Sequence, residues 1–436
     1  MNAMLPPDML EATRLTREGR LAEAAALLQR RFQNSGAPGL PSNTPHKTAA
    51  PPLGDRSRVI DVDPETGEAM DPGLNSPAGA ARGFAAGLRP AAGMAAPALP
   101  QMPEALRGFL DQMNRAGGGL QQPGLGGLTM RAPAQAPDPL PDGARFIAGS
   151  FSTSVGSRAY KLYIPSTYRG EPVPLVVMLH GCTQSPDDFA AGTRMNALAE
   201  EHPCLVVYPG QPSSANAQKC WNWFSPGDQQ RDQGEPALIA GITRQVMRDH
   251  AVDPRRVHVA GLSAGGAAAA IMGVAYPDLY AAVGVHSGLA CGAARDMPSA
   301  FAAMRQGAAA SHRPDAAARA DGVRWIVPTI VFHADRDGTV NPRNGDQVIA
   351  QAKAAAAGGL QARTERGQVP GGHAYSRTLH TDAGGQAQLE QWVVHGGGHA
   401  WSGGSAAGSY TDPRGPDASR EMLRFFQDHP HPAQHR

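Results

Sequence analysis

The chain predicts an α/β domain over residues 143–430, with a mainly parallel sheet covered by helices on both faces. Three observations carry that expectation. Short continuous apolar runs, "PLVVML" at 174–179 and "CLVVYPG" at 204–210, have the length and composition of strands buried on both sides. Segments with helical spacing alternate with such runs. The composition also changes sharply near residue 140, from Pro, Gly and Ala to a mixture with regular apolar periodicity.

Before that break the sequence reads differently. Residues 9–32, "MLEATRLTREGRLAEAAALLQRRF", are rich in Ala, Leu, Glu and Arg around Gly19, which predicts a helical hairpin within 1–33. A lone hairpin buries little and suits docking or oligomerisation, and no further copies occur that would make a repeat array. Residues 34–142 include "GAPGLPSNTPHKTAAPPLG" and "GGGLQQPGLGGL", with few aromatic or β-branched residues. So little apolar surface predicts a disordered spacer, with one short helix at 102–114.

Within 143–430, "RAYKLYIP" at 158–165 alternates like a strand with one exposed face. "ALIAGITRQVMRDH" at 237–250 has helical spacing, and "RRVHVAG" follows as a strand. "AAAAIMGVAYP" is a helix, and "WIVPTIVFHA" is a strand. "YSRTLHTDAGGQAQLEQWVVHG" reads as two strands around a Gly-Gly turn, and "DASREMLRFFQDH" as a closing amphipathic helix capped by Asp417. Residues 431–436 are expected to be a disordered tail.

A net charge of +1 gives no electrostatic reason for nucleic acid or an anionic membrane as partner. No apolar run approaches the roughly 20 residues of a membrane helix. The first 20 residues carry acids and prolines instead of a basic stretch and an apolar core, so no secretion signal is read and a cytoplasmic location is expected. The four cysteines, Cys182, Cys204, Cys220 and Cys291, lack metal-ligand spacing, and no metal or cofactor is expected. In the cytoplasm they are expected as reduced thiols, whereas export would make Cys182 and Cys220 the first candidates for a bridge.

The chemistry centres on "VHVAGLSAGG" at 257–266, where Ser263 stands in Gly-x-Ser-x-Gly. The motif alone fits a small residue in a turn as well as a nucleophile. Its context, a strand before and an Ala-rich helix after, is that of a nucleophile elbow, where flanking glycines permit a tight crossing and the helix N-terminus faces developing negative charge. "VVMLHGCTQ" places a His-Gly turn after an early strand, similar to the oxyanion loops of lipases and esterases. The expected donors are the backbone N–H groups of Ala264 and Cys182. "TIVFHADRDGTVNP" ends a strand in two acids, of which Asp337 is the first choice to orient a histidine and Asp335 the reserve. "VVHGGGHAWSGG" offers His399 as general base, with His395 as its competitor. The chain order Ser263, Asp337, His399 is that of a hydrolase triad. Trp221, Trp223 and Trp401, three of five tryptophans, are candidate apolar walls for a substrate or, equally, core residues. "RDQGE" at 231–235 reads as an ionic brace without chemistry.

The motifs "LHGCTQ", "CWNWFSPGDQQRDQGEP", "GLSAGGA", "HADRDGTVNPRN" and "GGGHAWSGG" together resemble the poly(3-hydroxybutyrate) depolymerase family of α/β-hydrolase esterases, with feruloyl and acetylxylan esterases as relatives. The resemblance covers about residues 146–429. It implies an α/β-hydrolase fold, Ser263 as nucleophile, Asp337 as acid, His399 as base and Cys182 as an oxyanion contributor, in the order called type I. The reaction implied is hydrolysis of poly- or oligo(3-hydroxybutyrate) through an acyl-enzyme, without a cofactor. A feruloyl or acetylxylan esterase is the alternative within the enzymes, and a non-catalytic granule-binding scaffold the alternative outside them. Storage-granule association of a cytoplasmic enzyme fits the missing signal, and an extracellular location fits secreted members of the family. Oligomeric state is not legible.

Overall fold

The computed structural model describes residues 139–309, 327–354, 356 and 359–432. The expected hairpin, residues 34–138 of the Pro/Gly/Ala-rich spacer with its short helix, and residues 433–436 of the tail lie outside them. Ten strands form one sheet: β1 (Arg145–Thr153), β2 (Gly156–Ile164), β3 (Val173–Leu179), β4 (Leu205–Pro209), β5 (Val252–Leu262), β6 (Ala282–His286), β7 (Thr329–Ala334), β8 (Gln361–Gln368), β9 (Ala374–Thr381) and β10 (Ala387–Val394). Their spatial order is β1-β2-β4-β3-β5-β6-β7-β10-β9-β8. Six central strands, β4 to β10 in that order, are parallel, and an antiparallel pair flanks them on each side. A two-stranded pair, β11 (Trp401–Ser402) and β12 (Thr411–Asp412), lies beyond the sheet.

The helices are α1 (Pro186–Thr193), α2 (Met195–Glu201), α3 (Gly234–Asp249), α4 (Ala264–Ala275), α5 (Met297–Gln306), α6 (Arg343–Ala354) and α7 (Ala418–Asp428). Side chains alternate across a strand, so each central strand feeds two cores. On β3, Leu175, Val177 and Leu179 join the cluster under α3, α4 and α6, while Val176 and Met178 join that under α1, α2 and α7. This double burial is why "PLVVML" reads as an unbroken apolar run. Helix α3 starts a turn before the expected 237, at Gly234, where Asp228 accepts from the Glu235 amide.

Helix α7 is tied down at both ends. Asp417 accepts from the Arg420 amide at 3.0 Å, the expected cap. Further along, Arg424 meets both oxygens of buried Glu390 on β10, at 2.7 and 2.8 Å, and Arg377 on β9 adds a third contact at 2.7 Å. A carboxylate with this many charged donors is compensated inside the core. Among the described residues no helix is long and apolar enough to cross a membrane.

Asp417→Ala removes one acceptor from the first turn of α7 and should cost about 1 kcal/mol. In a domain of this size that reads as a Tm lowered by roughly 2–4 °C. An unchanged midpoint in calorimetry would show that the cap contributes nothing to the docking of α7.

Candidate active site

All six parallel strands point the same way, so their carboxyl ends bring together residues far apart in sequence. β3 delivers His180 to Cys182, β5 delivers Ser263, β6 delivers Ser287, β7 delivers Asp335 and Asp337, and β10 delivers His395 to His399. This edge of an open α/β sheet is where ligands bind.

Ser263 sits between β5 and α4 at φ 57° and ψ −118°, the strained conformation expected of an elbow. Its two glycine neighbours are explained by backbone. A Cβ on Gly265 would strike the carbonyl oxygens of Leu179 and His180, and one on Gly261 would strike Gly265 and Leu179. The turn at Ser263 and the loop after β3 are therefore in contact through main chain alone. The Ser263 amide donates to His286 O at 2.9 Å, which fastens the turn to the end of β6.

Asp337 and His399 meet as expected. His399 Nδ1 donates to Asp337 Oδ2 at 2.7 Å, and both residues are buried. Asp337 Oδ1 accepts the amides of Thr339 and Val340 at 2.9 and 2.8 Å. Burial by itself would raise this carboxyl, but His399 and His333 beside it hold it well below the ordinary carboxylate range. A carboxylate only accepts, so the His399 proton is on Nδ1 and the Nε2 lone pair is left for another partner.

His333 and His286 were not singled out by the sequence. His333 Nε2 donates to Val340 O at 2.9 Å and lies 3.4 Å from Asp337 Oδ2, behind the acid. His286 is buried, stacks on Trp401 with centroids 4.9 Å apart, and accepts the Ser402 amide on Nε2 at 3.0 Å. Burial pushes its imidazole down to about 3, so it stays neutral. Through its backbone oxygen and its ring, His286 links the Ser263 turn to the loop that carries His399. The signal that could have found it is its place at the end of a central parallel strand.

The loop after β3 is held from behind. His180 Nδ1 donates to Gly181 O at 2.7 Å, Nε2 accepts the Gln211 amide at 3.1 Å, and His180 O accepts Trp221 Nε1 at 3.1 Å. Gln211 in turn donates to buried Glu235, which also accepts both the amide and the side chain of Asn222. Burial, with Asp228 nearby, pushes the Glu235 carboxyl up to about 7. Glu235 of "RDQGE" thus works inside the site wall, whereas Arg231 makes the outer brace, to Asp278 at 2.5 Å.

Cys182 and Cys220 form a disulfide across 38 residues, which corrects the expectation of four reduced thiols. The bridge joins the loop after β3 to the Trp221 segment, while Cys204 and Cys291 remain free and buried. Among the described residues, neither the Cys182 nor the Ala264 amide is committed to an acceptor.

The candidate substrate walls are corrected too. Trp221 is 0 % exposed, Trp401 1 % and Trp223 6 %. Trp401 donates to Ser419 and meets Phe189 edge-to-face, and Trp223 meets Phe224 in the same way. Their position in polar, turn-rich segments hid the fact that the rings turn inward and are covered.

Gly265→Ala should fail to give the native fold, because two carbonyls of another chain segment would have to move, and soluble yield with Tm reads this out. For Asp337, the folded-state carboxyl is depressed, so its stabilising share is present above the ordinary value near 4 and is lost as pH falls below it. The stability gap between wild type and Asp337→Asn should therefore be widest above about pH 4 and close on further acidification. A gap independent of pH, followed by denaturant unfolding, would contradict this assignment.

Residues 158–367 match the family model described as Esterase PHB depolymerase. Poly(3-hydroxyalkanoate) depolymerase C of Paucimonas lemoignei is 34% identical over 256 residues, 57% of this chain and 60% of the relative. Poly(3-hydroxybutyrate) depolymerase of Ralstonia pickettii is 25% identical over 254 residues, 55% of this chain and 50% of the relative. Feruloyl esterase B of Thermothelomyces thermophilus is 31% identical over 140 residues, 32% of this chain and 47% of the relative. The chain thus spans about half to three-fifths of the length of these curated relatives. The parallel sheet, the strained serine turn and the matched segment agree in making residues 158–367 of this chain similar to the esterase PHB depolymerase family.

Proposed function

We propose that this chain is a serine carboxylic-ester hydrolase that cleaves poly- or oligo(3-hydroxybutyrate) esters through Ser263, His399 and Asp337. The observation that carries the reading is the combination of an elbow serine at φ 57° with a buried Asp–His pair at neighbouring strand ends. His399 Nε2 takes the proton of Ser263 Oγ as the oxygen attacks the ester carbonyl. Negative charge on the carbonyl oxygen is met by the amides of Ala264 and Cys182, assisted by the N-terminus of α4. The tetrahedral adduct collapses, His399 passes the proton to the leaving alcohol, and the acyl group stays on Ser263. Water, deprotonated by His399, then releases the acid and restores the serine.

The 3-hydroxybutyrate polyester is favoured as substrate by the name of the matched family and by two depolymerase relatives. A feruloyl ester is the second reading, favoured by the 31% identical relative. The Cys182–Cys220 bridge supports an oxidising compartment, the extracellular alternative, since such bonds persist there and are reduced in the cytosol.

Release of 3-hydroxybutyrate from amorphous polymer should be measured beside hydrolysis of a feruloyl and an acetyl-xylan ester, with Ser263→Ala in parallel. The expected result is polymer cleavage that falls at least about 10⁴-fold in the variant. Serine-dependent activity on the sugar esters alone would keep the mechanism and overturn the substrate. Silence on all three would give the domain a binding role instead.

A further inference from the structure

A second Asp–His–Ser array is assembled beside the one described above. Asp335, at the end of β7, accepts His395 Nδ1 on Oδ2 at 2.9 Å and the Gly396 amide on Oδ1 at 2.7 Å. His395 Nε2 lies 2.8 Å from Ser376 Oγ, on β9. Because the carboxylate only accepts, the histidine proton is on Nδ1, and neutral His395 receives the Ser376 hydroxyl proton on Nε2. Burial works to raise the Asp335 carboxyl, but the Gly396 amide and His395 hold it below its ordinary value, so it stays charged. The side chains of His395 and Asp335 are 41% and 40% exposed, so solvent and small molecules reach them.

We propose that Ser376, His395 and Asp335 form a second, solvent-facing acyl-acceptor site that takes acyl groups from small activated esters such as aryl acetates. Ser376 Oγ attacks the ester carbonyl carbon as its proton moves to His395 Nε2, and the imidazolium is stabilised by Asp335. The bond from carbonyl carbon to aryl oxygen breaks, the aryloxide leaves, and His395 returns its proton to solvent. The product is an acetyl ester on Ser376.

The surroundings of the two serines set what this second site can do. Ser263 precedes a helix and faces uncommitted amides. Ser376 lies within a strand paired on both sides, with Arg366 on β8 and Val393 on β10, where amides serve the sheet ladders. A general base contributes about 10²–10⁴-fold, and each missing oxyanion donor costs about 10²–10³-fold. Esters with poor leaving groups are therefore left alone. An aryl ester acylates Ser376, and the resulting alkyl ester, whose leaving group is the serine alkoxide, deacylates slowly. The site stores one acyl group and does not turn over rapidly. It also stands independently of the role given to Ser263.

The test uses the full chain with Ser263→Ala, so that the first serine is silent. After incubation with p-nitrophenyl acetate, intact mass and peptide mapping should show one acetyl group on Ser376, with about one equivalent of p-nitrophenolate released in a burst. The burst should vanish in Ser263→Ala/Ser376→Ala and slow at least tenfold in Ser263→Ala/Asp335→Asn of unchanged Tm. If Asp335→Asn lowers Tm, Ser263→Ala/His395→Gln of unchanged Tm replaces it, and its burst should likewise slow at least tenfold. No acetyl on Ser376, or p-nitrophenolate release that persists without Ser376, would overturn the proposal and leave the array as a clamp on the loop of His399.

Discussion

At the turn after β5, main chain touches main chain with no side chain between. Gly261 and Gly265 let the elbow press against the carbonyls of Leu179 and His180, and everything the site offers is placed relative to that contact. The serine oxygen, the start of α4 and the loop holding the Cys182 amide are all within one rigid junction. A junction of this kind stores strain at Ser263, and the surrounding sheet has to over-determine it. Six parallel strands with apolar residues on both faces supply that rigidity.

Behind the junction lies a second layer built from polar groups. His180 is locked between Gly181 and Gln211, Gln211 reaches Glu235, and Glu235 gathers the Asn222 segment. The disulfide closes the same circuit covalently, from Cys182 to Cys220. On the other side, His286 joins the serine turn to the His399 loop and His333 supports the acid. Most of these polar groups find partners inside the wall, while His333 Nδ1 is buried without a hydrogen-bond partner.

Much of this was legible from the residues. The central strands β3, β4 and β7 were visible because double burial leaves an unbroken apolar run, and the serine turn because its glycines have a steric cause, whereas β6, short and equally buried, was not read. The antiparallel β9–β10 pair was visible in its Gly-Gly turn. Strands β1 and β8 were not: they lie at the two edges with largely exposed side chains, so neither alternation nor apolar content marks them. The two acids and two histidines at 335–337 and 395–399 could be ranked but not paired by spacing. In the fold each acid has its own histidine, Asp335 with His395 and Asp337 with His399. The tryptophans defeated the reading for another reason. Which side of a loop faces the core depends on partners such as Ser419 and Phe189, hundreds of residues away in sequence or on another element.

The two sulfurs left out of the bridge have a consequence of their own. Cys204 and Cys291 are sealed in the core, and burial pushes both thiols up to about 12. Exchange of disulfides proceeds through the thiolate, so neither can attack the Cys182–Cys220 bond while the domain is closed. A folded chain that meets an oxidant thus has a single pairing open to it, and scrambled isomers can arise only before the core has formed. The architecture acts as its own proofreader of covalent connectivity.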